Sequence, residues 1–220
     1  MIQSILQEGI ADHTMKKSHF IGYAKHVEDQ TEAEAYIQEV KDLHPQARHH
    51  VSAYSLNRGQ VLKYDDDKEP SQTAGRPILD FIVNRGLDDL CIVVVRYFGG
   101  ILLGKGGLVK AYTLGAQLAV EAGKIVPYKE VFYLELSFDY SAQGALEYQL
   151  KEKKIQIIGR DYGEKVVFRL IIDQDRLEEI KNLLAEETSG QGGLEILKED
   201  LLAQVKEKFI EKKKEKEKWI

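Results

Sequence analysis

The chain has 220 residues, 43% hydrophobic and 30% charged, the balance of an ordinary soluble globular protein of one large or two small domains. Its formal net charge of −5 argues against a protein that coats nucleic acid non-specifically, so any nucleic-acid contact has to be local. A single cysteine, Cys91, cannot form an intramolecular disulfide, and no apolar run reaches the length of a signal-peptide core or a membrane span, so a cytoplasmic protein without membrane contact is expected.

In chain order, Phe20, Ile21, Tyr23, Ala24 and Val27 predict a strand over Ser18 to Val27. Ala35, Tyr36, Ile37, Val40 and Leu43 then recur at helical intervals up to Pro45. A second strand is predicted over His50 to Leu56, and Asn57-Arg58-Gly59 turns it into a third at Gln60 to Tyr64. His44, His49 and His50 invite a metal reading, but adjacent strand residues face opposite sides, so His49 and His50 cannot both ligate one ion. Polar, hydrogen-bonded histidines are favoured, with a phosphate contact as the alternative.

The acidic run Asp65-Asp66-Asp67-Lys68-Glu69-Pro70 begins like a calcium loop. It fails as one, because Pro70 stands where the motif needs glycine and Arg76 where it needs glutamate. Two uses stay open: a loop that caps the next helix, or a divalent-metal site in which Asp66, Asp67 and Glu69 hold the ion beside a phosphate. Ser71 and Thr73 are candidate caps, Pro77 suits a first turn, and Ile78, Leu79, Ile82 and Val83 form the apolar face of a helix ending near Gly86.

The unbroken apolar run Leu90 to Val95 predicts a central strand buried on both faces. It leads through Arg96-Tyr97-Phe98-Gly99-Gly100 and Ile101-Leu102-Leu103 into Gly104-Lys105-Gly106-Gly107, after which Leu108, Val109, Tyr112, Ala116 and Ala119 keep helical spacing until Gly123. Glycines and a lysine where a strand passes into a helix let backbone N–H groups approach an anion. A tight backbone crossing against the core is the competing reading. Gly106 occupies the position where a nucleotide-hydrolysing loop needs a hydroxyl for magnesium, which argues against that activity. Arg76, Arg96, Lys105 and Lys110 are the candidate phosphate contacts, together with Gly104, Gly106 and Gly107. Asp66, Glu69, Arg76, Arg96 and Lys105 are expected to share one surface.

Beyond a boundary at Gly123 to Tyr128, Phe132, Leu134, Leu136 and Phe138 alternate as a half-buried strand, and Ser141 caps a helix carrying Leu146 and Leu150. Short strands follow at Ile155 to Ile158 and Val166 to Ile172, then a helix with Leu177, Ile180 and Leu184 and a strand at Leu194 to Leu197. The order βαββαβ is that of the ferredoxin-like split unit. From Glu199, Leu202, Val205 and Phe209 fall on one helical side before the sequence degenerates into lysine and glutamate.

The segments Asp66-Asp67-Lys68-Glu69-Pro70-Ser71-Gln72-Thr73-Ala74-Gly75-Arg76-Pro77 and Arg96 through Tyr112 resemble the two signature stretches of the YigZ/IMPACT family. Lys68 and Gln72 stand where that family usually has glycine, Leu102 where it has lysine, and Lys105 where it has threonine. The resemblance implies a first domain similar to domain IV of elongation factor G and to a small-subunit ribosomal protein. It implies a second, ferredoxin-like domain similar to that factor's last one, and a link to translational control. It implies no catalytic residue.

The expected fold class is therefore α+β, with residues 1–126 forming a domain with a mixed or largely antiparallel sheet and helices on one face. Residues 128–198 form the βαββαβ domain, and 199–220 a charged helix or tail. The leading functional expectation is a regulatory or binding protein contacting RNA or ribosome-associated components through the glycine-rich basic loop. The alternatives are a metal-assisted phosphate-handling hydrolase and a protein-binding module without catalysis. No cofactor is expected, a divalent metal aside.

Overall fold

Leu90 to Val95 is apolar at every position because layers of helix cover both faces of the strand it forms. The computed structural model describes residues 2–211 of the chain. Its contacts divide it into two compact units, Ile2–Val126 and Pro127 onward.

The first unit runs β1 (Ile2–Ile5), β2 (Gly9–Met15), β3 (Ser18–His26), α1 (Gln30–Leu43), β4 (His49–Leu56), β5 (Val61–Asp65), α2 (Gly75–Asn84), β6 (Leu90–Tyr97) and α3 (Lys105–Gly123). Five of the strands form a sheet in the order β2-β3-β6-β4-β5. On one face, Leu90, Ile92 and Val94 pack with Ile78 and Ile82 of α2 and with Leu108, Tyr112 and Ala116 of α3. On the other, Cys91, Val93 and Val95 meet Ala33, Tyr36, Ile37 and Val40 of α1. Leu90, Ile92, Val93, Val94 and Val95 are all fully buried, and each contributes about 1.5–3 kcal/mol relative to exposure. The expectation of helices on one face is thus corrected, since α1 covers the side opposite α2 and α3.

Of the two sheet types expected, mixed and largely antiparallel, the antiparallel one forms. β6 lies between β3 and β4 and is antiparallel to both, so the crossover through α1 joins two like-directed strands that do not touch. The α2 crossover does the same for β5 and β6 around β4. Helices separate strands in sequence, yet every neighbour in this sheet is antiparallel. Two strands escaped the sequence reading, β1 and β2. In β2, buried or half-buried Gly9, Ala11, His13 and Met15 alternate with exposed residues, and three of these four are glycine, alanine or histidine.

The second unit contains β7 (Ile125–Phe138), α4 (Gln143–Glu152), β8 (Gln156–Tyr162), β9 (Val166–Asp173), α5 (Leu177–Thr188), β10 (Gly193–Val205) and β11 (Lys208–Ile210). The strand order is β11-β10-β7-β9-β8, each neighbour antiparallel. Leu134, Leu136, Phe138, Leu146, Leu150, Phe168, Leu170, Ile180 and Leu184 make its core between the sheet and the two helices. β7 starts at Ile125, so the Gly123–Tyr128 segment is partly strand rather than a linker. The helix expected from Glu199 is overturned: β10 runs on to Val205 because its backbone pairs with β7 through Ala203↔Tyr128, then turns back into β11. Lys206 has φ +58, the left-handed geometry of that turn. The rest of the charged tail, from Lys212, lies outside the described residues.

Candidate functional site

Gly99 and Gly104 fix how the chain passes from β6 to α3. A side chain on Gly99 would place its Cβ 1.9 Å from the Lys17 carbonyl oxygen, so only glycine fits the crossing beside the β2–β3 turn. Gly104 has φ +73 and is the N-cap of α3, with no side chain bonding back to the first turn. The first backbone N–H groups of this 19-residue helix are therefore left for another partner.

Beside this helix start lies a cleft of about 560 Å³, lined by Arg48, His49, Lys68, Glu69, Pro70, Arg96, Phe98, Leu102, Leu103, Gly104, Lys105 and Leu108. Its floor is a buried polar network. Arg96 of β6 is 5% exposed and Glu69 8%. The Arg96 Nη1 donates to Glu69 Oε1 at 2.5 Å, and the Tyr112 hydroxyl of α3 donates to the same oxygen at 2.7 Å. Burial, reinforced by the Glu69 carboxylate, raises the Tyr112 phenol far above its ordinary value, so it is held as a donor. Ser18 Oγ lies 3.5 Å from Arg96 Nη2 and accepts from the Gly99 N–H at 3.2 Å, which ties the glycine crossing to the same guanidinium. Arg96 also sits over the rings of Phe20 and Phe98, at 5.6 and 5.5 Å.

Of the predicted contacts, Glu69, Arg96, Gly104 and Lys105 meet in this cleft. Gly106 and Gly107 form the first turn of α3 beside it. Arg76 and Lys110 are not part of its lining. Arg76 is ion-paired to Asp80 one turn along α2 at 2.8 Å, and Lys110 points to solvent elsewhere on α3. The single surface expected for Asp66, Glu69, Arg76, Arg96 and Lys105 is thus reduced to three of its five members.

The carboxylates proposed for a metal are dispersed. Asp66 Oδ1 accepts from the N–H groups of Ala74 and Gly75 at 3.1 and 2.8 Å, and its Oδ2 from Gln72 at 2.8 Å. It caps α2 from eight residues away, where Ser71 or Thr73 had been expected. Asp67 Oδ2 accepts the His50 N–H at 2.6 Å, and Glu69 is held by Arg96 and Tyr112. Among the described residues no group of three or more His, Cys, Asp or Glu side chains is gathered closely enough for a metal ion, so the set Asp66, Asp67 and Glu69 is corrected to scaffold. The loop they brace has Lys68 at φ +68 and Gln72 at φ +61, left-handed positions that explain why glycine suits both. Cys91 is inert, because burial raises its thiol strongly.

Four contributors escaped the sequence reading of the site. Arg48 and Lys68 add cations to its wall, Phe98 an aromatic edge, and Tyr112 the second donor to Glu69. Tyr112 lies on the apolar face of α3, and nothing in a helical periodicity signals that its hydroxyl has a buried carboxylate to reach.

The family model described as Impact N-terminal domain matches residues 16–120, and one described as Domain of unknown function (DUF1949) matches residues 136–191. The protein named IMPACT family member YvyE of Bacillus subtilis (strain 168) is 33% identical over 192 residues, covering 87% of this chain and 88% of its own. IMPACT family member YigZ of Escherichia coli (strain K12) is 34% identical over 186 residues, with 83% and 90% covered. A solved structure titled "Crystal structure of an hypothetical protein" shares 33% identity and a TM-score of 0.57, covering 90% of this chain and 98% of that one.

Proposed function

The chain belongs to the IMPACT family, and from that footing we propose that it is a regulatory binding protein of the translation machinery, contacting RNA through the cleft at the start of α3. The observation that carries this reading is the charge in the cleft. Arg48, Lys68 and Lys105 line it without an ion pair to any carboxylate among the described residues. With Arg96 they make four cations against the single carboxylate of Glu69, an excess of three, in a chain whose formal net charge is −5. Gathered positive charge of this kind, next to uncapped helix N–H groups, supports recognition of phosphate. The β10-β7-β9-β8 order of the second unit, with two helical crossovers, supports the ferredoxin-like reading, and with it the likeness to the last domain of elongation factor G.

The test is salt-dependent binding of single-stranded RNA. Three phosphate contacts predict a log–log slope of about −2, and replacing Lys68 and Lys105 together by alanine should flatten it by about 1.4 units. Alanine at Arg76 and Lys110 should leave the slope unchanged, since neither lines the cleft. Failure of the wild-type protein to bind RNA or ribosomes at about 50 mM salt would overturn the reading.

A further inference from the structure

A second groove of the first unit lies between α2 and α3, and it shares no lining residue with the cleft. Pro77, Phe81 and Arg85 follow one another at i, i+4 and i+8 along α2 and its C-cap, with Asn84 beside them, and Val109 and Thr113 stand at i and i+4 on α3. Side chains four residues apart form a ridge on a helix, so two such ridges side by side leave a furrow between them, here of about 450 Å³. Pro77 belongs to the first signature stretch and Val109 to the second, and the RNA reading uses neither. Val109 is 37% exposed, and Phe81 packs only part of its ring against the core.

The charges of this groove are uneven. Asp80 also lines it, but Arg76 already answers that carboxylate at 2.8 Å. Arg85 is exposed, lies over the Phe81 ring at 5.7 Å and has no ion pair with a carboxylate among the described residues. What the groove lacks is therefore one carboxylate at the Arg85 end of an apolar floor.

We propose that the α2–α3 groove docks an amphipathic helix of a partner protein, with apolar side chains one turn apart set against Phe81 and Val109 and an Asp or Glu reaching Arg85. The backbone groups of α2 and α3 are bonded within each helix, so the uncharged polar partners left to a visitor are the side chains of Asn84 and Thr113. An extended peptide would leave most of its N–H and C=O groups unanswered there, whereas a helix arrives with its own satisfied. Pro77 to Arg85 spans about 12 Å, which matches about two turns of the visitor. Nucleic acid fits poorly, because a chain with one negative charge per nucleotide would meet a single free cation, a carboxylate and an apolar floor. A second copy docking face to face fits poorly too, since the carboxylate it would bring, Asp80, is held by its own Arg76.

The experiment uses the full chain and a fluorescently labelled synthetic helix of about fourteen residues in an alanine-rich host, with leucines at i, i+4 and i+7. Two versions carry a glutamate, one beyond the last leucine and one ahead of the first, and companions carry glutamine or lysine at the same places. Anisotropy is expected to give a dissociation constant of about 10–100 µM for the better glutamate peptide and one about fivefold weaker for its glutamine companion. Val109→Asp should weaken every peptide about tenfold, with an unchanged urea midpoint as the check on folding. Arg85→Glu should invert the order, so that lysine binds tighter than glutamate, which a general loss of structure cannot produce. Equal affinity for the glutamate, glutamine and lysine peptides overturns the proposal, as does an order that Arg85→Glu leaves unchanged or the failure of every peptide to bind. Displacement of the peptide by single-stranded RNA would make the groove a nucleic-acid surface, and self-association lost in Val109→Asp would assign it to a second copy; either result overturns the partner helix. Because the two linings are disjoint, failure of RNA binding at the cleft leaves this proposal standing, and the reverse holds as well.

Discussion

Glu69→Ala is expected to destabilise the first unit by about 4 kcal/mol, and the reason is Arg96 rather than the glutamate itself. The guanidinium is 5% exposed and its charge is answered by one carboxylate at 2.5 Å. Removing one member of a buried pair strands the other, at about 3–5 kcal/mol, and the Tyr112 hydroxyl loses its acceptor at the same time. The Arg96 Nε is already buried without a partner, so the guanidinium has little else to turn to. The double variant Glu69→Leu with Arg96→Met removes both charges and should recover at least about 2 kcal/mol relative to the sum of the single changes. Urea unfolding followed by circular dichroism measures each midpoint, with unchanged slopes as the check that the comparison is fair. A Glu69→Ala loss under about 1 kcal/mol, or strict additivity in the double variant, would refute the claim that this pair is a single buried unit.

Two further outcomes concern half-buried groups of the first unit. Asp66→Ala should cost about 1–2 kcal/mol by freeing the Gln72, Ala74 and Gly75 N–H groups, and unfolding midpoints unmoved by the change would show that water caps α2 equally well. Burial lowers the His13 imidazole below its ordinary value, against a smaller opposing pull from Asp12; both ring nitrogens lack partners and the ring stacks on Phe20 at 5.1 Å. Its folded form thus binds fewer protons than the unfolded one, so its contribution is complete above about pH 6.5 and is lost as pH falls below that. His44, also lowered by burial, acts with the same sign. His13→Phe should flatten the stability profile between about pH 6.5 and 5, and an unchanged profile would exclude His13 as its source.

The elements that local pattern revealed are those whose burial is complete or whose glycines punctuate the chain. Leu90 to Val95 announced β6 because both faces are covered, and Gly104 announced α3 because a left-handed residue precedes it. Leu202, Val205 and Phe209 misled because a spacing of three and four fits a helix equally, and pairing with β7 and the Lys206 turn decided for strand. The site was half legible. Arg96 and Lys105 flank the glycines, whereas Arg76 shares the motif but turns its charge to Asp80. Asp66 was visible as an acid but not as a cap, since cap rules look one residue upstream and this bond spans eight.

The packing of α3 has a consequence for how the chain tolerates change. Gly115 and Gly123 lie two turns apart along the helix, and a methyl on Gly22 of β3 would fall 2.2 Å from the Gly115 carbonyl, while one on Gly9 of β2 would fall 1.9 Å from that of Ala119. Main chain rests on main chain along this seam, leaving no side-chain layer to absorb a slip of the helix along its axis. The seam, about three to five turns along the helix, therefore helps to set the position of the α3 amino terminus together with the Gly99 crossing that leads into it. Residues 101 and 102 can then diverge among relatives, in length of side chain and in charge, without displacing the N–H groups beyond them. Exchange of the loop alters what the mouth of the cleft welcomes, while the seam keeps its address.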